Sequence, residues 1–120
     1  MSTRRQVVGR WGEDTAAQYL AANGYTVLAR NVYSTHGEID IVASKGGLLV
    51  FVEVKTRSSH AFAYPEDSVT RRKQTYMLSA AEEYLQAHPM SSESWQFDVI
   101  AVEGVPGRKA QIEHFENVIS

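Results

Sequence analysis

Gly37-Glu38-Ile39-Asp40-Ile41-Val42-Ala43, followed by Leu48-Leu49-Val50-Phe51-Val52-Glu53-Val54-Lys55-Thr56-Arg57, is the stretch that decides the fold. Both runs are rich in β-branched and other apolar residues, and Ser44-Lys45-Gly46-Gly47 separates them. A Gly-Gly pair between two strand-like runs signals a β-hairpin. With Gly46 and Gly47 as a two-residue turn, Lys45 faces Leu48. Counting back, Asp40 faces Glu53 and Glu38 faces Lys55. Directly opposed residues hold their Cβ atoms about 4.5–5.5 Å apart, and side chains alternate across a strand. One face of the hairpin then gathers Glu38, Asp40, Glu53 and Lys55. The other carries Ile39, Ile41, Val52 and Val54. Two carboxylates held that close need a cation, a shared proton or open water. A charged face turned to solvent is the plainer reading. Against it stands the nearly unbroken apolar run from Leu48 to Val54, the pattern of a strand covered on both sides. A three-residue turn would slip the register by one and set Ile39 opposite Glu53 instead.

The chain of 120 residues suits a single domain, residues 1–120, with a modest core. Hydrophobic residues make up 43% and charged residues 22%, a globular rather than a disordered balance. Cysteine is absent, which excludes a disulfide framework and a thiolate metal site and fits a reducing, cytoplasmic setting. Met1 to Arg10 is polar and basic, without the apolar stretch of a signal peptide. No apolar run approaches membrane-spanning length, so no membrane partner is expected. The formal net charge is -2, so bulk charge does not point to nucleic acid. The basic residues are nonetheless clustered: Arg4, Arg5 and Arg10; Lys55 and Arg57; Arg71, Arg72 and Lys73; Arg108 and Lys109. A local basic face is compatible with a slightly acidic total.

Along the chain, Val7 to Asn23 reads as a helix, with Ala16, Ala17 and Leu20 on one stripe and Asn23-Gly24 as its stop. Glu13 falls on that stripe. Either it points toward the core, where a buried acid needs a partner, or it sits in the first turn and favours the helix N-terminus. Tyr25 to Arg30 reads as a first strand, and Asn31 to His36 as a polar connection. Ser58 to Pro65 interleaves basic and aromatic residues, which suits a substrate-facing loop or a packed one. Glu66 or Asp67 is the expected cap of a second helix over Ser68 to His88. Its apolar stripe is Val69, Met77, Ala80, Ala81, Tyr84 and Leu85, with Lys73 on the same side and Gln74 at its edge. Met90 to Ser94 reads as a loop, Trp95 to Val102 as a strand, and Gln111 to Val118 as a short final strand. The second helix can cross over to set the fourth strand parallel to an earlier one. The result is an α/β domain in the order αβββαββ, a mixed sheet with helices packed on it.

Four motifs in order, Gly9-Arg10-Trp11-Gly12-Glu13, Gly37-Glu38-Ile39-Asp40, Phe51-Val52-Glu53-Val54-Lys55-Thr56-Arg57 and Phe97-Asp98-Val99-Ile100, resemble the bacterial YraN family. That family looks like a branch of the PD-(D/E)XK nucleases, with a restriction-endonuclease-like core similar to archaeal-type Holliday junction resolvases. The resemblance implies Asp40 and Glu53 as metal ligands, with the backbone carbonyl of Val54 as a further one. It implies Lys55 as the catalytic lysine and Glu13 as the helix-borne acid that completes the site. Lys73, with Gln74 beside it, matches a polar position on the second helix. Ile39-Asp40 stands where the superfamily has Pro-Asp.

The expected activity is therefore that of a Mg²⁺- or Mn²⁺-dependent endonuclease acting on DNA, selective for branched or junction substrates by analogy. Arg10, Arg57, Arg71, Arg72, Lys73 and Gln74 are the expected nucleic-acid contacts, a homodimer is expected, and no small-molecule cofactor is. Two carboxylates beside Lys55 are expected to favour its protonated form, hence electrostatic help rather than a base role. The alternative is a non-catalytic nucleic-acid-binding or protein-interaction module that keeps the nuclease fold.

Overall fold

A computed structural model describes residues 3–57, 70–89 and 94–119. Seven elements succeed one another along the chain: α1 (Arg4–Ala22), β1 (Thr26–Ser34), β2 (Gly37–Lys45), β3 (Leu48–Arg57), α2 (Arg71–Ala87), β4 (Ser94–Glu103) and β5 (Gln111–Phe115). They build one five-stranded sheet in the order β1-β2-β3-β4-β5. The β3–β4 pair is parallel and the others antiparallel, with α2 as the crossover. The expected αβββαββ order and mixed α/β sheet are therefore present. No helix among the described residues is long and apolar enough to cross a membrane.

The β2–β3 hairpin turns on Gly46 and Gly47, whose φ angles of 56° and 81° suit glycine in a two-residue turn. Lys45 pairs with Leu48 and Ile41 with Val52, the register counted from the sequence. β3 lies third of five, and Leu49, Val50, Phe51 and Val52 are all buried. One face of the sheet packs Ile41, Ala43, Val50 and Val52 against Ala16 and Leu20 of α1. The other packs Ile39, Val42, Leu49 and Phe51 against Ala80, Ala81 and Tyr84 of α2. Phe51 anchors that second face, with the rings of Tyr84, Trp95 and Phe97 at 5.6, 5.7 and 5.2 Å.

Several expectations need correction. α1 begins at Arg4, capped by Thr3 and Gln6 in a reciprocal capping box. Glu13 is thus well inside the helix, and the first-turn reading of it falls. β1 does not stop at Arg30. It runs to Ser34, and only Thr35 and His36 form the turn into β2. Edge strands tolerate polar residues such as Asn31 and Ser34, so the sequence there looks like a loop. α2 starts at Arg71 with Thr70 as its cap, the Lys73 N–H donating to Thr70 Oγ1 at 3.2 Å. The expected caps Glu66 and Asp67 lie outside the described residues, as do Ser58 to Val69 and Met90 to Glu93. β5 ends at Phe115 rather than Val118, and Asn117 turns the chain with a φ of 53°.

The largest correction is in β2. Ile39 and Ile41 do not share a face: Ile39 joins the α2 side and Ile41 the α1 side. Residues two apart in a regular strand point the same way, so the alternation breaks at Asp40. The facing ladder ends at Ile41–Val52. Beyond it, Asp40 Oδ2 accepts the Val54 N–H at 2.8 Å, so the Asp40 side chain takes up the next donor of β3.

Candidate functional site

The site forms where β2 leaves β3, between α1 and α2. β2 brings Glu38 and Asp40, β3 brings Glu53 and Lys55, α1 brings Glu13 and α2 brings Lys73. α1 reaches the sheet through Gly12, which sits against Thr56 of β3 so closely that a Cβ there would lie 2.0 Å from Thr56 Oγ1. That contact carries Glu13, the next residue, to the acids of β2.

Carboxylate oxygens of Glu13, Glu38 and Asp40 lie within 4.8 Å of one another. Asn31, on the neighbouring edge strand, ties two of them together. Its Nδ2 donates to Glu13 Oε1 at 2.7 Å and to Glu38 Oε1 at 2.6 Å. It does so from a left-handed conformation, φ 51°, which asparagine tolerates better than most residues. Arg30 adds a cation from the same strand, 2.7 Å from Asp14 Oδ1 and 3.9 Å from Glu13 Oε1. Glu53 is held differently. Its Oε1 meets Lys73 Nζ in a close ion pair and Lys55 Nζ at 3.2 Å. Its Oε2 is buried without a hydrogen-bond partner among the described residues.

The expected quartet of Glu13, Asp40, Glu53 and Lys55 is thus brought together, with Lys73. Glu38 does not pair with Lys55 as the flat hairpin count expects; it joins Glu13 and Asp40 through Asn31, because the strand turns at Asp40. Asn31 and Arg30 are site residues that the sequence reading missed, since both fall where it expects the end of a strand and a loop. The contact seen at Val54 is its N–H, donated to Asp40. Of the expected nucleic-acid contacts, Arg10, Arg71 and Arg72 are exposed on α1 and α2, while Arg57 and Gln74 are half-buried. The Arg72 guanidinium lies 5.7 Å over the Tyr76 ring.

Burial pushes the Asp40 carboxyl up to about 6; the Val54 N–H opposes this, and the charges of Glu13, Glu53 and Glu38 add to it. The folded chain therefore holds this proton more tightly than the unfolded chain. The resulting stability is full below about pH 4 and is lost as pH rises through about 6. In urea denaturation without divalent ions, wild type should lose about 2–3 kcal/mol relative to Asp40→Asn between about pH 4 and about pH 7. A difference that stays flat with pH would contradict the crowding of acids around Asp40.

The two lysines divide. Lys55 is lowered from its ordinary value by burial and by Lys73 beside it, against the pull of Glu53. Glu53 favours the charged form as expected, but burial and Lys73 outweigh it. Burial also acts to lower Lys73, but its bonds to Glu53 and Lys55 outweigh that and raise it. Two amines thus share one carboxylate oxygen.

The donor set fits a hard divalent cation. Glu13, Glu38 and Asp40 gather carboxylate oxygens, the ligands that Mg²⁺ and Mn²⁺ favour, and Glu53 adds a buried, unpartnered Oε2 nearby.

A second polar cluster lies on the other side of the domain. Asp98 of β4 is 0% exposed. Its Oδ1 accepts from Gln96 Nε2 and the Asn117 N–H, each at 2.9 Å. His114 Nε2 lies 2.6 Å from its Oδ2, and His114 Nδ1 lies 3.1 Å from the Tyr19 hydroxyl. Both oxygens of Asp98 are thus engaged, so the cluster reads as a knot joining α1, β4, β5 and the C-terminal segment.

The model of the uncharacterised protein family UPF0102 matches residues 12–102 of this sequence. The chain belongs to that family. A UPF0102 protein of Syntrophotalea carbinolica is 44% identical over 96% of this chain and 93% of its own length. One of Pelotomaculum thermopropionicum is 40% identical over 98% of each chain. The YraN-like resemblance read from the motifs is borne out at this level, and the names of these UPF0102 relatives state no activity. Among solved structures, Pyrococcus furiosus SfsA in complex with Ca²⁺ aligns with a TM-score of 0.35 and 10% identity, over 93% of this chain and 63% of that one. A likeness that low carries no argument.

Proposed function

We propose that this chain is a metal-dependent endonuclease, with a restriction-endonuclease-like core, that hydrolyses DNA phosphodiester bonds at branched or junction substrates. The observation that carries this reading is the convergence of Glu13, Asp40, Glu53 and Lys55 from three elements at one strand divergence, with carboxylate oxygens of Glu13, Glu38 and Asp40 within 4.8 Å of one another and Glu53 paired with Lys55 beside them. A binding module without chemistry gains nothing from such crowding, which burial makes costly.

Asp40, Glu53 Oε2 and Glu13 would hold Mg²⁺ or Mn²⁺, with Glu38 beside them and the Val54 carbonyl as a further ligand. The ion would neutralise phosphate charge and polarise a phosphoryl oxygen. The chain's own groups do the rest. Lys55 Nζ, 3.2 Å from Glu53 Oε1, orients the attacking water and offsets charge on the phosphoryl oxygens. Lys73 keeps its charge and faces the negative charge that grows on the phosphoryl oxygens. Arg71 and Arg72, exposed at the N-terminus of α2, are placed to hold flanking phosphates.

The test is cleavage of linear, single-stranded and four-way-junction DNA in Mg²⁺ or Mn²⁺. Wild type should cut the junction, and Asp40→Asn should lose at least about 100-fold in rate. Nucleic-acid binding that survives alanine at both Asp40 and Glu53, with no cleavage in any divalent ion, would instead establish the non-catalytic module.

A further inference from the structure

Beside the acids lies a cleft of about 250 Å³. One end is polar, made by Asp40, Glu53 and Lys73; the other is apolar, made by Ile39, Met77, Ala80 and Phe97. Lys73, Tyr76, Met77 and Ala80 sit at helical spacing, so one face of α2 supplies a whole wall. Tyr76, 42% exposed, stands at the rim with Arg72 against its ring. The opposite wall is the β1–β2 turn, and it is fastened in place. Thr35 donates its N–H and hydroxyl to Glu83 of α2, at 3.2 and 2.9 Å to Oε2. The cleft is therefore formed in advance rather than closed by a ligand.

A metal ion and a phosphate account for the polar end only. Neither would contact the edge of the α2-side core that Met77, Phe97 and Ile39 present to the cleft. A nucleotide matches both ends at once, because its anionic phosphate is joined to a flat base with apolar faces. The cleft is smaller than the ~300–1,000 Å³ of drug-sized pockets, which limits it to about one base. A base inside a duplex has both faces stacked and its edge paired, and cannot enter.

Resting on the nuclease reading, we propose that this cleft seats one unpaired base of the substrate strand beside the phosphate to be cut. Tyr76 closes over the base and Met77 lies beneath it, while Lys73 stays with the phosphate. The substrate class is then DNA with an unpaired nucleotide at the cut, such as a flap, a fork or a junction that opens locally. Continuous duplex is excluded.

The experiment is fluorescence anisotropy in Ca²⁺ with three labelled strands of equal length. These are a single strand, a sugar–phosphate strand with every base removed, and a duplex. Wild type should bind the single strand about tenfold more tightly than either of the others, within the range that one base–aromatic stack supplies. Met77→Phe fills the cleft and should bring the single strand down to the level of the base-free strand, leaving the latter unchanged. Tyr76→Ala alters only an exposed ring, so it keeps the test open if the first variant misfolds, and it should act in the same direction. Equal binding of all three strands would overturn the base cleft and leave the nuclease reading standing. So would variants that weaken the base-free strand equally. Binding of none of them would remove the base cleft, while cleavage of the four-way junction decides the nuclease reading separately.

Discussion

Asp98→Ala should lower folding stability by about 3–5 kcal/mol, the cost of stripping one partner from a buried polar cluster. Asp98 has no exposed surface and accepts from Gln96, the Asn117 N–H and His114. Its loss leaves the half-buried Gln96 and His114 without this acceptor. It also leaves His114, which bonds Tyr19 of α1 through its other nitrogen, without its partner on β4. Urea denaturation at neutral pH measures the effect. His114→Ala should act in the same direction with a smaller loss, because Asp98 keeps two donors. If Asp98→Ala cost under about 1 kcal/mol, the knot would be ornament rather than support.

Gly12→Ala should be harmful although alanine is the better helix former. The gain in propensity is about 1 kcal/mol. Against it, the new methyl would sit 2.0 Å from Thr56 Oγ1 and 2.9 Å from its Cγ2, with α1 directly behind it. Overpacking of this kind costs about 1–3 kcal/mol, and so deep an overlap belongs at the upper end. A net loss of about 1–2 kcal/mol is expected. The functional loss should be larger than that, because lifting α1 withdraws Glu13 from Glu38 and Asp40. Thr56→Ala removes the two atoms that clash most, so the double variant should recover most of the stability and most of the divalent-ion affinity. A Gly12→Ala protein more stable than wild type would mean that α1 does not rest on β3 at this point.

The hairpin is legible in the sequence because Gly46-Gly47 allows few turns and β3 is apolar enough to need two covered faces. The crossover of α2 and the parallel β3–β4 pair come from the order of elements alone. The hidden features depend on contacts between distant residues. The break in β2 at Asp40 comes from the Val54 N–H and from the left-handed Asn31 on the adjacent strand, neither of which leaves a periodic trace. A flat ladder assigns Glu38 to Lys55, and the real strand is not flat there. The Asp98–His114 pair needs the β4–β5 register, in which His114 faces Ile100. An acid inside the apolar run Phe97 to Val102 is its visible sign. Burial of Lys55 and the nearness of Lys73, both products of the fold, are likewise not visible in the sequence.

On the proposed function, this crowd of carboxylates binds a divalent ion. Isothermal titration with Mg²⁺ and with Mn²⁺, on wild type and on Asp40→Ala, tests it most directly. Wild type should bind saturably and the variant should not, with both chains folded at the pH of the titration. Binding that is absent from wild type, or unchanged by Asp40→Ala, would contradict it.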